Sequence, residues 1–173
     1  MANILGFLEA IKSKILELNK VFDLGVVAKT SDAREGLMIS SGDEILFPAD
    51  HLGNYFYLRH TGEIVWTNQN RTEEHKIVFV AYAEDSDPFL LIDSIYAASK
   101  VLCVDGLSIR FKSASANNQE VIKNEMPKKG QAVAFKNLKD NVSLVRIEFI
   151  LIVPQTIKYR NSECVPNQCN ECL

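Results

Sequence analysis

Residues 75–83, HKIVFVAYA, followed at once by EDSDP and an apolar run, constrain this chain more than any other stretch. Ile77, Val78, Phe79 and Val80 are consecutive, β-branched or aromatic, and uninterrupted by a polar residue. A strand with one face in water alternates apolar and polar side chains. A continuous run predicts burial on both faces and a central place in a sheet. Glu84-Asp85-Ser86-Asp87-Pro88 then predicts an abrupt turn into a helix. Asp87 or Ser86 is placed to accept hydrogen bonds from the first free amides, and Pro88 suits the first helical position. Three carboxylates in four residues also have the composition of a metal site or an acid–base pair. The cap, the proline and the apolar run agree instead on capping, with negative charge at the positive end of the helix dipole. The helix is expected near 88–104, with Phe89, Ile92, Ile95, Tyr96 and Ser99 on one face and Leu102 and Cys103 continuing it. Asp105-Gly106 reads as a hairpin turn or as a helix stop, and the helical spacing before it favours the stop.

The segments on either side complete an α+β pattern. Near the N-terminus, Ile4, Leu5, Leu8, Ile11, Ile15, Leu18 and Phe22 recur every three or four residues, with Glu9, Lys12, Lys14 and Glu17 between them. This predicts an amphipathic helix that covers a sheet. Its mixed charges argue against a membrane-surface helix, and their interleaving with apolar residues argues against a secretory leader, so retention in the cytoplasm is expected. Residues 24–28 predict a first strand. Residues 29–54 are rich in Ser, Asp and Gly, with brief strands possible at MIS and EILF; such a loop is either functional or a surface excursion ordered by a neighbour. Residues 55–67 form one long strand with a bulge at Gly62, or two short strands around a turn. With NQNR as its tip and 75–83 as its return, this is a long β-hairpin.

Further on, residues 107–112 predict a strand, 113–118 a flexible connection, 119–126 a turn of helix, 127–130 a loop and 131–135 a short strand. Residues 142–153 alternate strongly, with Val145, Ile147, Phe149, Leu151 and Val153 on one side and Arg146 and Glu148 facing solvent or a partner. Pro154 ends this strand. The expected architecture is a mostly antiparallel sheet with a long hairpin, backed by two main helices. Residues 1–154 form a single α+β domain, and 155–173 a mobile or partner-ordered tail.

Chemistry-bearing patterns are sparse. The chain carries 19 basic and 22 acidic residues, a net charge of −3, which argues against a dedicated nucleic-acid binder. Arg59, Arg71, Arg110 and the Lys128-Lys129 pair are too scattered for a binding stripe. Gly36, Gly42 and Gly53 are dispersed rather than gathered into a phosphate cradle. His51, His60 and His75 lack metal-ligand spacing; His60 and His75 face each other across the hairpin but read as ordinary strand residues. Cys164, Cys169 and Cys172 match part of an iron–sulfur spacing, yet the fourth ligand would have to be the distant Cys103, and a zinc site has the same shortage. Free thiols on the tail, or a tail ordered by a partner, is the simpler reading. No catalytic, cofactor-binding or metal-ligating residue is expected.

The order of elements, carried by ILGFLEAIKSKIL, NYFYLRHTGEIVWT, EEHKIVFVAYAEDSDPFLLIDSIY and SLVRIEFILIV, resembles the tail terminator, or tail-completion, proteins of long-tailed bacteriophages. The strand that ends in a polar capped turn before a helix is the most specific part, and the likeness spans roughly residues 3–153. The resemblance implies a helix-backed sheet, self-association into a hexameric ring, and contacts with the tail tube and head-completion proteins. It implies assembly in the host cytoplasm and residence in the virion tail, without membrane or sequence-specific nucleic acid. The extra residues between Asn117 and Asn141 and the cysteine tail depart from that pattern. The competing expectation is a small α+β ligand-binding or enzymatic domain with a pocket between helix and sheet.

Overall fold

The computed structural model describes residues 4–28, 39–41, 44–46, 53–67, 72–101, 107–126 and 128–154. In chain order the elements are α1 (Ile4–Leu18), β1 (Leu24–Val27), β2 (Ile39–Ser41), β3 (Glu44–Leu46), β4 (Tyr55–Thr67), β5 (Thr72–Glu84) and α2 (Pro88–Val101). They continue with β6 (Ser108–Ser115), α3 (Asn118–Glu125), α4 (Lys128–Asn137) and β7 (Val142–Pro154). Five strands form one sheet in the order β1-β4-β5-β7-β6; β2 and β3 pair separately. All neighbours in the main sheet are antiparallel except β1 and β4. The fold is α+β.

β5 is the axis of the sheet. It pairs with β7 without a register break from Thr72 opposite Pro154 to Glu84 opposite Val142. Ile77, Val78, Phe79 and Val80 are wholly buried. Because strand side chains alternate between faces, β5 feeds two cores. On one face Ile77, Phe79, Ala81 and Ala83 meet Phe56 and Leu58 of β4 and the odd-numbered residues Val145–Val153 of β7. Leu8, Ile11 and Ile15 of α1 and Leu91 and Ile95 of α2 cover that face. Phe56 stacks on Phe79 with ring centroids 5.1 Å apart, and Phe22 meets Phe56 edge-on at 5.1 Å. Full burial of each large apolar side chain contributes roughly 1.5–3 kcal/mol.

On the opposite face Tyr55, Tyr57, Val78, Val80, Tyr82 and Leu144 meet Val121, Ile122 and Met126 around α3 and Ala134 of α4. α1 and α2 are the two main helices expected; α3 and α4 add a second helical layer, of which the sequence predicted only the turn at 119–126. Residues 128–137 are helical, where the sequence predicted a loop and a short strand. α3 runs two full turns, capped by Asn117, whose side chain accepts from the Glu120 amide. The Gln131 side chain donates to the Met126 carbonyl at 2.9 Å and ties α4 to the end of α3. A propensity reading failed because Gly130 and the Pro-Lys-Lys signal suggested a loop, whereas packing of Ala134 against the sheet favours the helix.

Three smaller expectations also change. Residues 113–115 continue β6 rather than forming a flexible connection, past a register break between Phe111 and Ser113. α2 buries Leu91, Ile95 and Ala98, so Phe89 does not share the core face and is 69% exposed. Arg146 faces α3 rather than open solvent, as its bond to Glu125 shows. The hairpin takes the bulge alternative: Thr61, Gly62 and Glu63 stand between His60 opposite Ile77 and Ile64 opposite His75. Gly62 has φ 83°, the left-handed region that glycine enters freely. The hairpin tip at 68–71, the 102–106 segment with its Asp-Gly, most of the 29–54 loop and the cysteine tail lie outside the described residues.

Gly25 of β1 sits where a side chain has no room. A Cβ there would lie 2.6 Å from Phe56 Cζ and 2.8 Å from Lys12 Cγ. Gly25→Ala is therefore expected to lower stability by about 1–3 kcal/mol through overpacking, read as a lower urea midpoint with an unchanged slope.

Candidate functional site

Polar groups gather in three places. At the junction of β5 and α2, Asp87 is the helix cap: its Oδ1 accepts from the Phe89 amide at 2.8 Å and the Leu90 amide at 3.4 Å. Of the two capping residues the sequence offered, Asp87 takes the role, and the Ser86 hydroxyl donates instead to the Glu84 carbonyl. Asp85 is held at φ 52°, with its amide donating to the Asn141 carbonyl and its carboxylate accepting from Asn141 Nδ2 at 3.0 Å. Glu84 accepts from Lys139 Nζ at 2.8 Å and from the Tyr82 hydroxyl at 3.0 Å. Those hydrogen bonds, Lys139 first, hold its carboxyl below the usual glutamate range. Each of the three carboxylates is thus bonded to a different set of partners. Asp23, Gly53, Asn54, Tyr82, Glu84, Asp85 and Lys139 line an open cleft of about 380 Å³ beside this turn.

The second gathering fixes α3 to the sheet. Glu125 is the last residue of α3, and its side chain is fully buried. Its Oε2 accepts from the Tyr57 hydroxyl at 2.7 Å and Arg59 Nε at 3.0 Å; its Oε1 accepts from Arg146 Nε at 2.6 Å and Arg59 Nη2 at 3.1 Å. Arg146 also reaches Glu148 at 2.7 Å. Burial pushes the Glu125 carboxyl upward, but hydrogen bonds from Arg59 and Arg146 outweigh it and leave the group below the ordinary value. Burial also pushes the Tyr57 hydroxyl well above its usual range, with the Glu125 charge adding to the effect. A carboxylate with every near donor already bonded to it is an anchor, not a general base. Sequence reading did not find Glu125. The one signal available was the polar Tyr57/Arg59/Arg146 set at same-face strand positions, opposite a helix of otherwise ordinary composition.

The third is a chain of three residues on the α1/α2 face. His60 Nε2 lies 3.2 Å from His75 Nδ1, and His75 Nε2 lies 3.3 Å from Glu73 Oε2. The expected cross-hairpin meeting of His60 and His75 is present. Glu73 and His75 are both only 2% exposed. Among the described residues, no group of three or more His, Cys, Asp or Glu is arranged to hold a metal ion.

The surface carries a different kind of feature. β1 pairs with the outer side of β4 only from Tyr55 to Leu58, and among the described residues no other strand pairs with that side of β4. β6 is the edge at the far end of the sheet. Three successive antiparallel pairings make β4 and β6 run in opposite directions. On this outer part of β4, Ile64, Val65 and Trp66 are exposed, Trp66 by 56%. Charges of opposite sign flank the two edges: Glu63 is 58% exposed on β4, while Arg110 and Lys112 on β6 are 58% and 53% exposed.

Removing the Glu125 charge tests the anchor. Glu125→Gln leaves two half-buried arginines short of a counter-charge at a fully buried position and is expected to cost roughly 3–5 kcal/mol in chemical denaturation. In the wild type, the lowered carboxyl means that this stabilisation is fully present above the ordinary glutamate value of 4.5 and is lost as pH falls through the lower folded value. The variant's stability should lack that acid-side decline. No protein-family model and no curated protein matches this sequence.

Proposed function

We propose that this chain is a structural subunit that joins copies of itself edge to edge into a closed ring, as phage tail terminator proteins do. The observation that carries the reading is that, among the described residues, neither the outer part of β4 nor β6 has a strand on its far side. A neighbour related by rotation about an axis roughly along the strands brings its β6 antiparallel to the exposed part of β4. Such a head-to-tail contact is heterologous, and it closes into a ring when the rotation permits. The exposed Ile64, Val65 and Trp66 supply apolar area for the contact. Glu63 opposite Arg110 and Lys112 supplies charge of the right sign. Charged residues on an edge strand and a bulge in its counterpart also discourage pairing in wrong registers.

In this reading the ring has about six copies, ends growth of the tail tube and presents a surface to head-completion proteins. The resemblance in element order supports that placement. The competing reading, a small ligand-binding domain, draws on the polar cleft at Asp23, Asn54, Glu84 and Lys139. Its wall groups are already bonded to one another, which favours assembly over ligand capture.

Light scattering coupled to size exclusion distinguishes the two. The ring predicts a mass of roughly six times the 19.4 kDa protomer, reduced to one protomer by Trp66→Glu with the circular dichroism unchanged. A 19.4 kDa species at every concentration, in the wild type, overturns the ring.

A further inference from the structure

Among the described residues, the hydrogen bonds that join Gly62, His60, His75 and Glu73 run in one consistent direction. The Gly62 amide donates to His60 Nδ1 at 3.1 Å. A ring nitrogen that accepts carries no proton, so the His60 proton is on Nε2. That proton points at His75 Nδ1, 3.2 Å away, which must therefore accept. The His75 proton is then on Nε2, facing Glu73 Oε2 at 3.3 Å. The order is amide to imidazole to imidazole to carboxylate, with both imidazoles neutral. The same order argues against a metal between the rings, because His60 Nε2 has no lone pair to give.

The chain sits on the bulge that sets the register of the outer hairpin. Gly62 is the bulge residue, and His75 lies opposite Ile64, the first residue after it. Thr61 Oγ1 closes the bulge by donating to the Lys76 carbonyl at 3.3 Å and accepting from the Glu63 amide at 3.3 Å. The residues facing the chain follow from register. β4 contributes His60, Ile64 and Trp66; β5 contributes Glu73 and His75; β7 contributes Val153 opposite Glu73 and Leu151 opposite His75. From the helical layer, Ile4 and Phe7 of α1 pack on this core. Lys76, with Glu63 at 3.6 Å and Glu148 at 3.8 Å, points to the other face of the sheet.

We propose that Glu73, His75 and His60 form an acid-sensitive lock on the β4 bulge, so that protonating either imidazole frees the outer half of the hairpin. A proton on His60 Nδ1 opposes the Gly62 amide, and a proton on His75 Nδ1 opposes the His60 Nε2 proton. Either leaves two donors face to face in a largely buried site. Burial, and then the proximity of His75, hold His60 below its ordinary value of 6.5. The sign follows: the lock is intact above 6.5 and is lost as pH falls from there through the lower folded value. The outer hairpin carries Trp66, the one tryptophan of the chain.

Two measurements on the intact protein test this. Long-range ¹⁵N–¹H spectra at pH 8 should show both imidazoles as Nε2–H tautomers; an Nδ1–H tautomer on either overturns the lock. Hydrogen-exchange protection of residues 64–67 and 72–75, with Trp66 fluorescence, should be constant from pH 8 to about 6.5 and then fall, approaching tenfold per pH unit. In His60→Gln the amide can offer His75 a donor or an acceptor, so the step should disappear. A flat wild-type profile down to pH 5, or an undiminished step in His60→Gln, contradicts the proposal. The tautomer measurement needs no variant, so it stands even if His60→Gln fails to fold.

Discussion

The structure depends on β5 being hydrogen-bonded along both edges and buried on both faces. Strand pairing satisfies its backbone, but its apolar side chains project alternately to opposite sides, and neither side tolerates water. Ile77 and Phe79 require cover from α1 and α2, while Val78 and Val80 require cover from α3 and the helix after it. Two helical layers are therefore a consequence of one strand. Among the described residues, the apolar contacts of the second face give way further along the sheet to charged groups, Arg59, Lys76, Arg146 and Glu148.

That consequence was present in the sequence but only half drawn from it. The unbroken run from Ile77 to Val80 already implied burial on both faces, and α1 and α2 cover only one of them. The hairpin, the bulge at Gly62, the capped turn and the inward face of β7 were legible because period and turn chemistry agree there. α4 was not, because its local signals are those of a loop and its helical state is set by contact with the sheet and the tether from Gln131. Phe89 was misplaced for a related reason. Helical spacing shows which residues share a face, but Phe89 and Leu91 offer rival stripes, and only the sheet decides between them. The sequence left Arg146 facing solvent or a partner because its partner, Glu125, is distant in sequence and lies on a helix with no strong apolar pattern.

The two buried polar constellations solve the same problem in opposite ways. Glu125 keeps its charge, offset by two arginines and a tyrosine hydroxyl, and its bonds are strongest when the carboxylate is ionised. His60 and His75 stay neutral, and their bonds exist only while neither ring takes a second proton. One holds α3 to the sheet at every pH near neutrality; the other sets a pH limit on the register beyond the bulge. The register beyond the bulge sets where Ile64, Val65 and Trp66, all exposed, stand on β4. The geometry of the proposed subunit contact thus rests on a local hydrogen-bond chain as well as on the sheet.

Directed cross-linking probes the edge-to-edge contact itself. In a background with Cys103, Cys164, Cys169 and Cys172 replaced by serine, Val65→Cys and Lys112→Cys would be combined and treated with a short bis-maleimide. Pairing of β4 with a neighbour's β6 predicts a ladder of covalent oligomers that ends at the closed ring, with neither single variant extending beyond background. Dimers alone, formed as readily by Val65→Cys as by the pair, would show a self-complementary contact and contradict the account; no cross-linking at assembling concentrations would contradict it equally.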